Sequence, residues 1–392
     1  MKRFLPLLAA LLLCACSAPA AGAVEHAPVN AVIVSDLHYT AGKASGQIIP
    51  AMTHIDELTQ AMIHEVIALK PDVLILTGDN TNSGRPADAE QLCTYLQEAA
   101  DAGIRVMVLP GNHDYDHADR TALKELYGAF MQGDAANPHS LSYEVRLGGY
   151  ALLAMDDCTD TSASFGTFSA GTMDWLQQRL KAAAADSLQV IFLSHHNVIP
   201  GPDGTPGSIT NPDLSALLQR YPVALCLSGH QHSQVILQHR QLYEIISGMP
   251  AMAPHLYGRL VLEDHHITYD AVPLDLHTYG SAELADTMQA LDAQADSQLQ
   301  EDLGDMLKEQ QVSQKEQEIF LSLLKNYFAW YGDGQIAEHG DAFRSPEWKR
   351  LLTVLDQTNY GPWIRAVISR PPLPSRHLDL DRQIIPQPRS AH

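Results

Sequence analysis

Five short polar clusters, each directly after an apolar run, constrain what this chain can fold into more than any other feature. Short apolar runs of this kind are typical of buried parallel strands, and open α/β sheets bind ligands beyond the carboxyl ends of their strands. We therefore expect an α/β domain that brings the clusters together. They contain Asp, Asn and His but no cysteine, and they are Asp36-Leu37-His38, Gly78-Asp79-Asn80, Gly111-Asn112-His113-Asp114, His195-His196 and Gly229-His230-Gln231-His232.

The residue types in these clusters favour metal binding. Carboxylate, amide and imidazole groups suit divalent ions with mixed oxygen and nitrogen ligands, such as manganese, iron or zinc. If the chain stays extended, Asp36 and His38 can point to one side, because residues two apart share a face, and the same argument applies to His230 and His232. Each cluster alone is a weak signal. Together they can supply two adjacent divalent metal ions, an arrangement suited to hydrolysing phosphate esters.

The spacing of apolar residues predicts the main domain between residues 29 and 275. Short apolar runs at 31–35, 72–76 and 105–109 alternate with helical patterns at 49–69 and 87–102, which is the βαβ order of an α/β fold. Two further runs flank Gly148-Gly149 and predict a hairpin. The second half is richer in strands, so we expect a second sheet, mixed or antiparallel, packed on the first.

A change of pattern near residue 280 predicts a separate helical domain over residues 280–370. Apolar positions there recur at spacings of four and three, as on a helix with one buried stripe. Ser345-Pro346 is typical of a helix start, with Ser345 as the cap and Pro346 in the first turn. Residues 371–392 are rich in Pro and Arg and are expected to form an extended tail.

The N-terminal residues have the features of a bacterial lipoprotein signal. Lys2 and Arg3 precede an apolar stretch at 4–13, which is shorter than the roughly 20 residues that a membrane-spanning helix needs. Leu13-Cys14-Ala15-Cys16 resembles a lipobox, so we expect cleavage before a lipidated Cys16, a tether over 17–28, and export to the outer face of a membrane. Ordinary secretion, with cleavage near Ala21 or Ala23, is the alternative.

Charge and cysteine content narrow the classes of partner. The formal charge of −21 over 392 residues repels polyanions and argues against binding to nucleic-acid polymers. A small anionic substrate stays compatible, because bound cations dominate the local field. Cys93, Cys158 and Cys226 are scattered and form no disulfide framework. Nothing in the sequence indicates an oligomeric state.

In order and residue type, the five clusters resemble the calcineurin-like metallophosphoesterase superfamily. Its pattern is D-x-H, G-D, G-N-H-[DE], a histidine and G-H-x-H, and the match covers residues 31–272. The resemblance implies a four-layer α-β-β-α sandwich. It implies one ion held by Asp36, His38 and His232. It implies a second ion held by Asn112, His195 and His230, with Asp79 bridging the two.

The same resemblance implies how the reaction proceeds. A hydroxide shared by the two ions attacks phosphorus, and His113, which is not a ligand, protonates the leaving group. We expect Asp114 to hold the His113 ring in place. His196 is left open between contact with the substrate and packing as a neighbour. Asp156 and Asp157 match no ligand position, and for both we favour a structural role or one that supports the ligands from behind.

The substrate is the least constrained feature. The chain looks most like bacterial cyclic-nucleotide phosphodiesterases with a C-terminal helical domain, which implies a small phosphodiester. A phosphomonoesterase, a nucleotidase or a protein phosphatase would use the same site. A surface lipoprotein that only binds a solute is the non-enzymatic alternative, and the presence of all seven expected ligands argues against it.

Overall fold

The computed structural model describes residues 26–42, 49–158, 160–200, 209–332, 335–369 and 373–381. The predicted signal peptide, Cys16 and most of the predicted tether lie outside these residues. The strands are β1 (Val29–Val34), β2 (Val73–Thr77), β3 (Arg105–Leu109), β4 (Ala135–Ala136), β5 (Tyr143–Leu147), β6 (Tyr150–Ala154), β7 (Gln189–Leu193), β8 (Val223–Ser228), β9 (Val235–His239), β10 (Leu242–Ile246), β11 (Leu256–Leu262), β12 (His266–Pro273) and β13 (His377–Asp381).

Helices surround these strands and continue past them. Ser345 begins a helix as predicted for a cap, because its side chain accepts a hydrogen bond from the amide of Trp348. The α-helices are α1 (Ile55–Leu69), α2 (Pro86–Asp101), α3 (Arg120–Tyr127), α4 (Ala170–Ala185), α5 (Leu214–Leu218), α6 (Leu276–Tyr279), α7 (Ala282–Glu309), α8 (Gln314–Gly332), α9 (Pro346–Leu355) and α10 (Tyr360–Ser369).

The strands form two mixed sheets. The first sheet has the order β13-β12-β11-β1-β2-β3, and β1, β2 and β3 are parallel. The second sheet has the order β4-β5-β6-β7-β8-β10-β9, with β6, β7, β8 and β10 parallel. The predicted hairpin around Gly148-Gly149 is confirmed, since β5 and β6 pair antiparallel across it.

Burial on both faces of β1 explains the layering. Val32 and Val34 pack among residues of α1 and α2, whereas Ala31 and Ile33 pack between the two sheets. On the far side of the second sheet, Leu153 belongs to a core that includes residues of α4 and α5. The expected four-layer α-β-β-α sandwich is therefore confirmed.

Two strands of the second half do not join the second sheet. β11 pairs antiparallel with β1, and β12 pairs with β11, so both extend the first sheet. The segment predicted as a tail contributes β13, which pairs with β12. Leu378 packs between the sheets and Leu380 lies partly buried against the same core, which gives this strand the alternation of an edge strand.

The helices predicted beyond residue 280 are present. Leu307, Leu324 and Trp348 belong to a core formed by α7, α8, α9 and α10. The first turns of α7 instead pack on the main domain through Leu284 and Met288. Helix α7 therefore joins the two cores. Within the described residues, no helix combines the length and the apolar character needed to cross a membrane.

Candidate metal centre

The five clusters lie where the carboxyl ends of the two sheets meet. Three follow β1, β2 and β3 of the first sheet, and two follow β7 and β8 of the second sheet. The first two loops run side by side, since the amide of Asp36 donates to the carbonyl of Gly78 at 3.0 Å and that of His38 to Asp79 at 2.9 Å. Donor residues have positive φ angles at five positions: Asp36, His38, Asp79, His230 and His232. Such strained backbone is concentrated at functional sites.

The first group of donors consists of Asp36, His38, Asp79 and His232, whose ligand atoms all lie within 4.8 Å of one another. His38 Nε2 is 3.0 Å from His232 Nε2 and 3.5 Å from Asp79 Oδ2. His232 Nε2 is 3.5 Å from Asp36 Oδ1. Two imidazole nitrogens and two carboxylates that converge in this way match the donor chemistry of a divalent ion.

The second group is centred on Asn112. Its Oδ1 is 3.2 Å from His195 Nε2 and 3.1 Å from His230 Nδ1. Asp79 Oδ2 is 3.3 Å from His195 Nε2, so the same oxygen borders both groups. It is buried and accepts no hydrogen bond from the described part of the chain, while Asp79 Oδ1 accepts one from the amide of His113 at 2.8 Å. A buried carboxylate oxygen that accepts no hydrogen bond is suited to bridging two metal ions.

Hydrogen bonds and nearby charges set the orientation and protonation of the histidines in a way that favours binding of cations. The Nδ1 of His195 donates to the carbonyl of Thr77 at 3.0 Å, which directs Nε2 toward Asp79. Burial lowers the pKa of His38 to about 3, so its ring is neutral and able to bind metal at neutral pH. Burial also opposes protonation of His195, but the charge of Asp79 outweighs it and raises the pKa of His195 to about 10. The negative charge of Asp79, which stabilises the proton on His195, would equally attract a divalent cation in place of that proton.

Two glycines allow the close approach of these groups. A Cβ at Gly78, where φ is +104°, would lie 2.4 Å from His195 Nδ1. A Cβ at Gly229 would lie 1.9 Å from Ser35 Oγ and 2.5 Å from Asp36 Oδ2. Any side chain at either position would displace a donor or the loop beneath it.

His113 borders the first donor group without belonging to it. Its ring centroid is 4.7 Å from that of His38, and its side chain is 39% exposed. Its Nδ1 donates to the carbonyl of Asn82 at 3.0 Å. This bond leaves Nε2 as the nitrogen available to a bound molecule.

Asp114 does not hold the ring of His113, and that expectation was wrong. Its Oδ2 accepts from the amides of Asn80 and Gly111 and from Asn80 Nδ2, and its Oδ1 accepts from the amide and hydroxyl of Thr81. A short 3-10 helix at His113–Tyr115 turns these two neighbours in different directions, and Asp114 is fully buried. Asp114 therefore fixes the loops after β2 and β3 to each other.

His196 lies directly against the second donor group, since one of its ring nitrogens is within 4.8 Å of ligand atoms of His195 and His230. Its ring is fully buried, 4.3 Å from the ring of His230, and its Nδ1 and backbone amide lie 3.2 and 2.9 Å from the carboxylate of Asp157. Asp157 thus has a structural role beside the second donor group. Sequence reasoning did not single out Glu244, a buried carboxylate on β10 beneath the same group.

A two-sheet sandwich with paired oxygen and nitrogen donor groups at its strand ends defines a metallohydrolase fold. The chain belongs to the calcineurin-like phosphoesterase family, because residues 29–234 match the family model described as Calcineurin-like phosphoesterase. The description of the family model and the names of the relatives below are those of phosphoric ester hydrolases.

Three known proteins illustrate the similarity. A Rhodococcus erythropolis protein named "Probable cyclic nucleotide phosphodiesterase" is 28% identical over 205 residues, 51% of this chain and 64% of the relative. The glycerophosphodiester phosphodiesterase GpdQ of Enterobacter lignolyticus is 26% identical over 211 residues, 52% of this chain and 70% of the relative. A dimetal phosphatase from Danio rerio shares the fold, with a TM-score of 0.52 and 14% identity over 62% of this chain and 96% of that one.

Proposed function

We propose that this protein hydrolyses small phosphodiesters, with cyclic nucleotides as the favoured class, by means of two divalent ions. The observation that carries the proposal is the position of Asp79 Oδ2, 3.5 Å from His38 Nε2 on one side and 3.3 Å from His195 Nε2 on the other. One carboxylate shared by two donor groups is the arrangement of a bridged metal pair.

The protein's own groups then have separate tasks. Two bound ions would activate water at neutral pH and neutralise charge on the phosphate. Asp79 holds the two donor groups together, because it contacts histidines of both. His113 is anchored through Nδ1 by Asn82, so its Nε2 can give a proton to the departing alkoxide.

Phosphodiesters are favoured over the alternatives by the two relatives, whose names describe a cyclic nucleotide phosphodiesterase and a glycerophosphodiester phosphodiesterase. The chain spans about two thirds of the length of these relatives, so their substrates support the class of ester and not a particular compound. Phosphomonoesters, including nucleotides and phosphoproteins, are the competing substrates.

The test combines metal and substrate. Purified protein with manganese should hydrolyse bis-p-nitrophenyl phosphate, lose that activity in chelator, and prefer 3′,5′- or 2′,3′-cyclic nucleotides over p-nitrophenyl phosphate. Asp79→Ala should abolish turnover and remove at least one ion while the circular dichroism spectrum stays unchanged. A variant with two ions per chain and normal turnover contradicts the proposal, and so does faster hydrolysis of monoesters than of diesters.

We also propose that the mature protein is attached to the outer face of a membrane through a lipid on Cys16. The described chain starts at His26, whose backbone amide and ring lie 2.9 and 2.8 Å from Asp264 at the turn between β11 and β12. A tether leading there meets the amino end of β1, whereas the donors follow its carboxyl end, about 20 Å away for a six-residue strand. The tether would therefore join the domain at the end opposite the metal centre.

A further inference from the structure

We infer that Glu244 is a positioning residue that holds the loops carrying His195 and His230 in register and so controls binding of the second ion. The inference rests on the proposed two-metal function. Glu244 lies on β10, is fully buried, and contributes no ligand atom to either donor group. Its place is beneath the second group, on the strand parallel to β8.

The carboxylate of Glu244 accepts hydrogen bonds from two separate loops. From the loop after β7, the amide of Val198 donates to both oxygens at 2.9 and 3.1 Å, and the amide of Ile199 donates to Oε2 at 2.6 Å. From the end of β8, Ser228 Oγ donates to Oε1 at 2.9 Å. One buried side chain thus joins two neighbouring segments of the site.

Each of these segments carries one histidine of the second group. Val198 follows His195 by three residues, and Ser228 precedes His230 by two. The two rings meet at Asn112 Oδ1, at 3.2 and 3.1 Å. A relative shift of the loops by even 1 Å would separate nitrogen atoms that must bind one ion.

The chemistry of the donors explains why a carboxylate is needed. The amides of Val198 and Ile199 are buried backbone donors in the loop after β7, and such donors are costly to leave unpaired. An ionised carboxylate only accepts, and its two oxygens can take all of these bonds. A glutamine of the same shape would direct an NH₂ group at one or more N–H donors, so the loops would move apart.

Burial of this charge is costly, which argues that the position serves more than packing. Burial raises the pKa of Glu244 to about 7, although the amides of Ile199 and Val198 and the hydroxyl of Ser228 oppose the rise. Glu144 on β5 is a suitable comparison, because it is equally buried in the same sheet. Its oxygens pair with Arg146 and Arg179 instead of with the loops of the site.

The experiment measures metal affinity directly. Metal-free wild type, Glu244→Gln and Glu144→Gln are titrated with Mn²⁺ by calorimetry and by electron paramagnetic resonance. We expect Glu244→Gln to bind one ion as wild type does and the second at least tenfold more weakly. Glu144→Gln should retain both affinities even where its Tm falls. Ser228→Ala, which removes one donor, should weaken the second site by a smaller factor and serves as the test if Glu244→Gln does not fold.

Unchanged binding of the second ion in Glu244→Gln, or in Ser228→Ala if that variant replaces it, overturns the positioning role. An equal loss in Glu144→Gln does the same, because it shows a general effect of stability. Failure of the proposed function has a different signature: wild type itself would bind fewer than two ions. If the wild-type stoichiometry is two, the comparison of variants decides the role of Glu244 independently of any activity.

Discussion

The rings of His38 and His113 lie edge to face, with centroids 4.7 Å apart and planes at 77°, yet only His38 belongs to a donor group. The two residues come from different loops of the first sheet, after β1 and β3. His113 is thereby placed beside the metal centre, with its Nδ1 occupied by Asn82 and its side chain 39% exposed. Under the proposed function, this placement would separate proton transfer from metal binding.

His113→Ala should therefore keep both ions and lose turnover. A general acid contributes roughly 10²–10⁴-fold to rate, and the loss should shrink for a nitrophenolate leaving group, which needs little protonation. The check is kcat for alkyl and nitrophenyl diesters together with metal content per chain. An equal loss on both classes of diester would contradict the general-acid role.

Asp114→Asn should act on stability and on both donor groups at once. Its carboxylate accepts five hydrogen bonds from Asn80, Thr81 and Gly111, and an amide cannot accept all of them. We expect a loss of about 2–4 kcal/mol in the free energy of unfolding, since each buried bond to a charged group contributes about 1.5–3 kcal/mol. Denaturant unfolding measures it.

The matched control is Asp116→Asn, whose carboxylate is partly exposed and 3.6 Å from His113 Nδ1. It should leave the free energy of unfolding nearly unchanged. If Asp116→Asn destabilises the protein as much as Asp114→Asn, the anchoring role of Asp114 is wrong.

The sequence predicted an α/β domain with two packed sheets and the candidate donors because these depend on local patterns, whereas the four-layer sandwich was implied by the resemblance to the superfamily. Apolar runs mark buried strands, and a donor directly after a strand is placed by that strand's end, as for Asp36 and Asp79. The partner of Asp114 was not predictable in this way, because one short turn sends adjacent side chains in different directions. Glu244 was missed for another reason: its contacts with Val198 and Ile199 span 46 and 45 residues, and a lone Glu in an apolar strand gives no sign of them.

The junction between α7 and the main domain should influence substrate selection. His255 Nε2 is 3.1 Å from Asp292 Oδ2 of α7, and its Nδ1 donates to the carbonyl of Pro250 at 2.9 Å. These contacts fix the segment between β10 and β11, which carries the exposed Met252 and meets Gln234 near His232 through Gly248. Through Gly248, the segment is linked to a residue two positions after His232.

Asp292→Asn should raise KM for cyclic nucleotides by up to about fivefold, because a partly exposed pair of this kind contributes up to about 1 kcal/mol. Metal content and the kinetics of bis-p-nitrophenyl phosphate should change little. Asp296→Asn, one turn along α7 and exposed, is the control. Identical KM values for wild type and Asp292→Asn would show that α7 does not shape the substrate mouth.

Glu244 should give the metal-free protein a characteristic pH dependence. Its pKa is raised from an ordinary 4.5 to about 7 by burial, so the folded state binds its proton more tightly than the unfolded state. The stabilisation is present below pH 4.5 and is lost as the pH rises through about 7. Relative to Glu244→Gln, which cannot titrate there, wild type should lose roughly 3 kcal/mol over that window. Denaturant unfolding in chelator measures both profiles, and parallel profiles would contradict a raised pKa.

Cys16→Ser should abolish lipid attachment. Stable anchoring needs two lipid signals, since one acyl chain gives only marginal membrane binding, and the formal charge of −21 offers no attraction to anionic lipid. The lipids on Cys16 would therefore have to hold the protein on the membrane. Cells grown with a labelled fatty-acid analogue should label wild type and Cys14→Ser, in which the neighbouring cysteine is changed, but not Cys16→Ser. After cell fractionation, the processed form of the protein should be present in the membrane fraction for wild type and absent from it for Cys16→Ser. If wild type takes up no label, or Cys16→Ser labels equally, the chain is instead secreted by ordinary cleavage near Ala21 or Ala23.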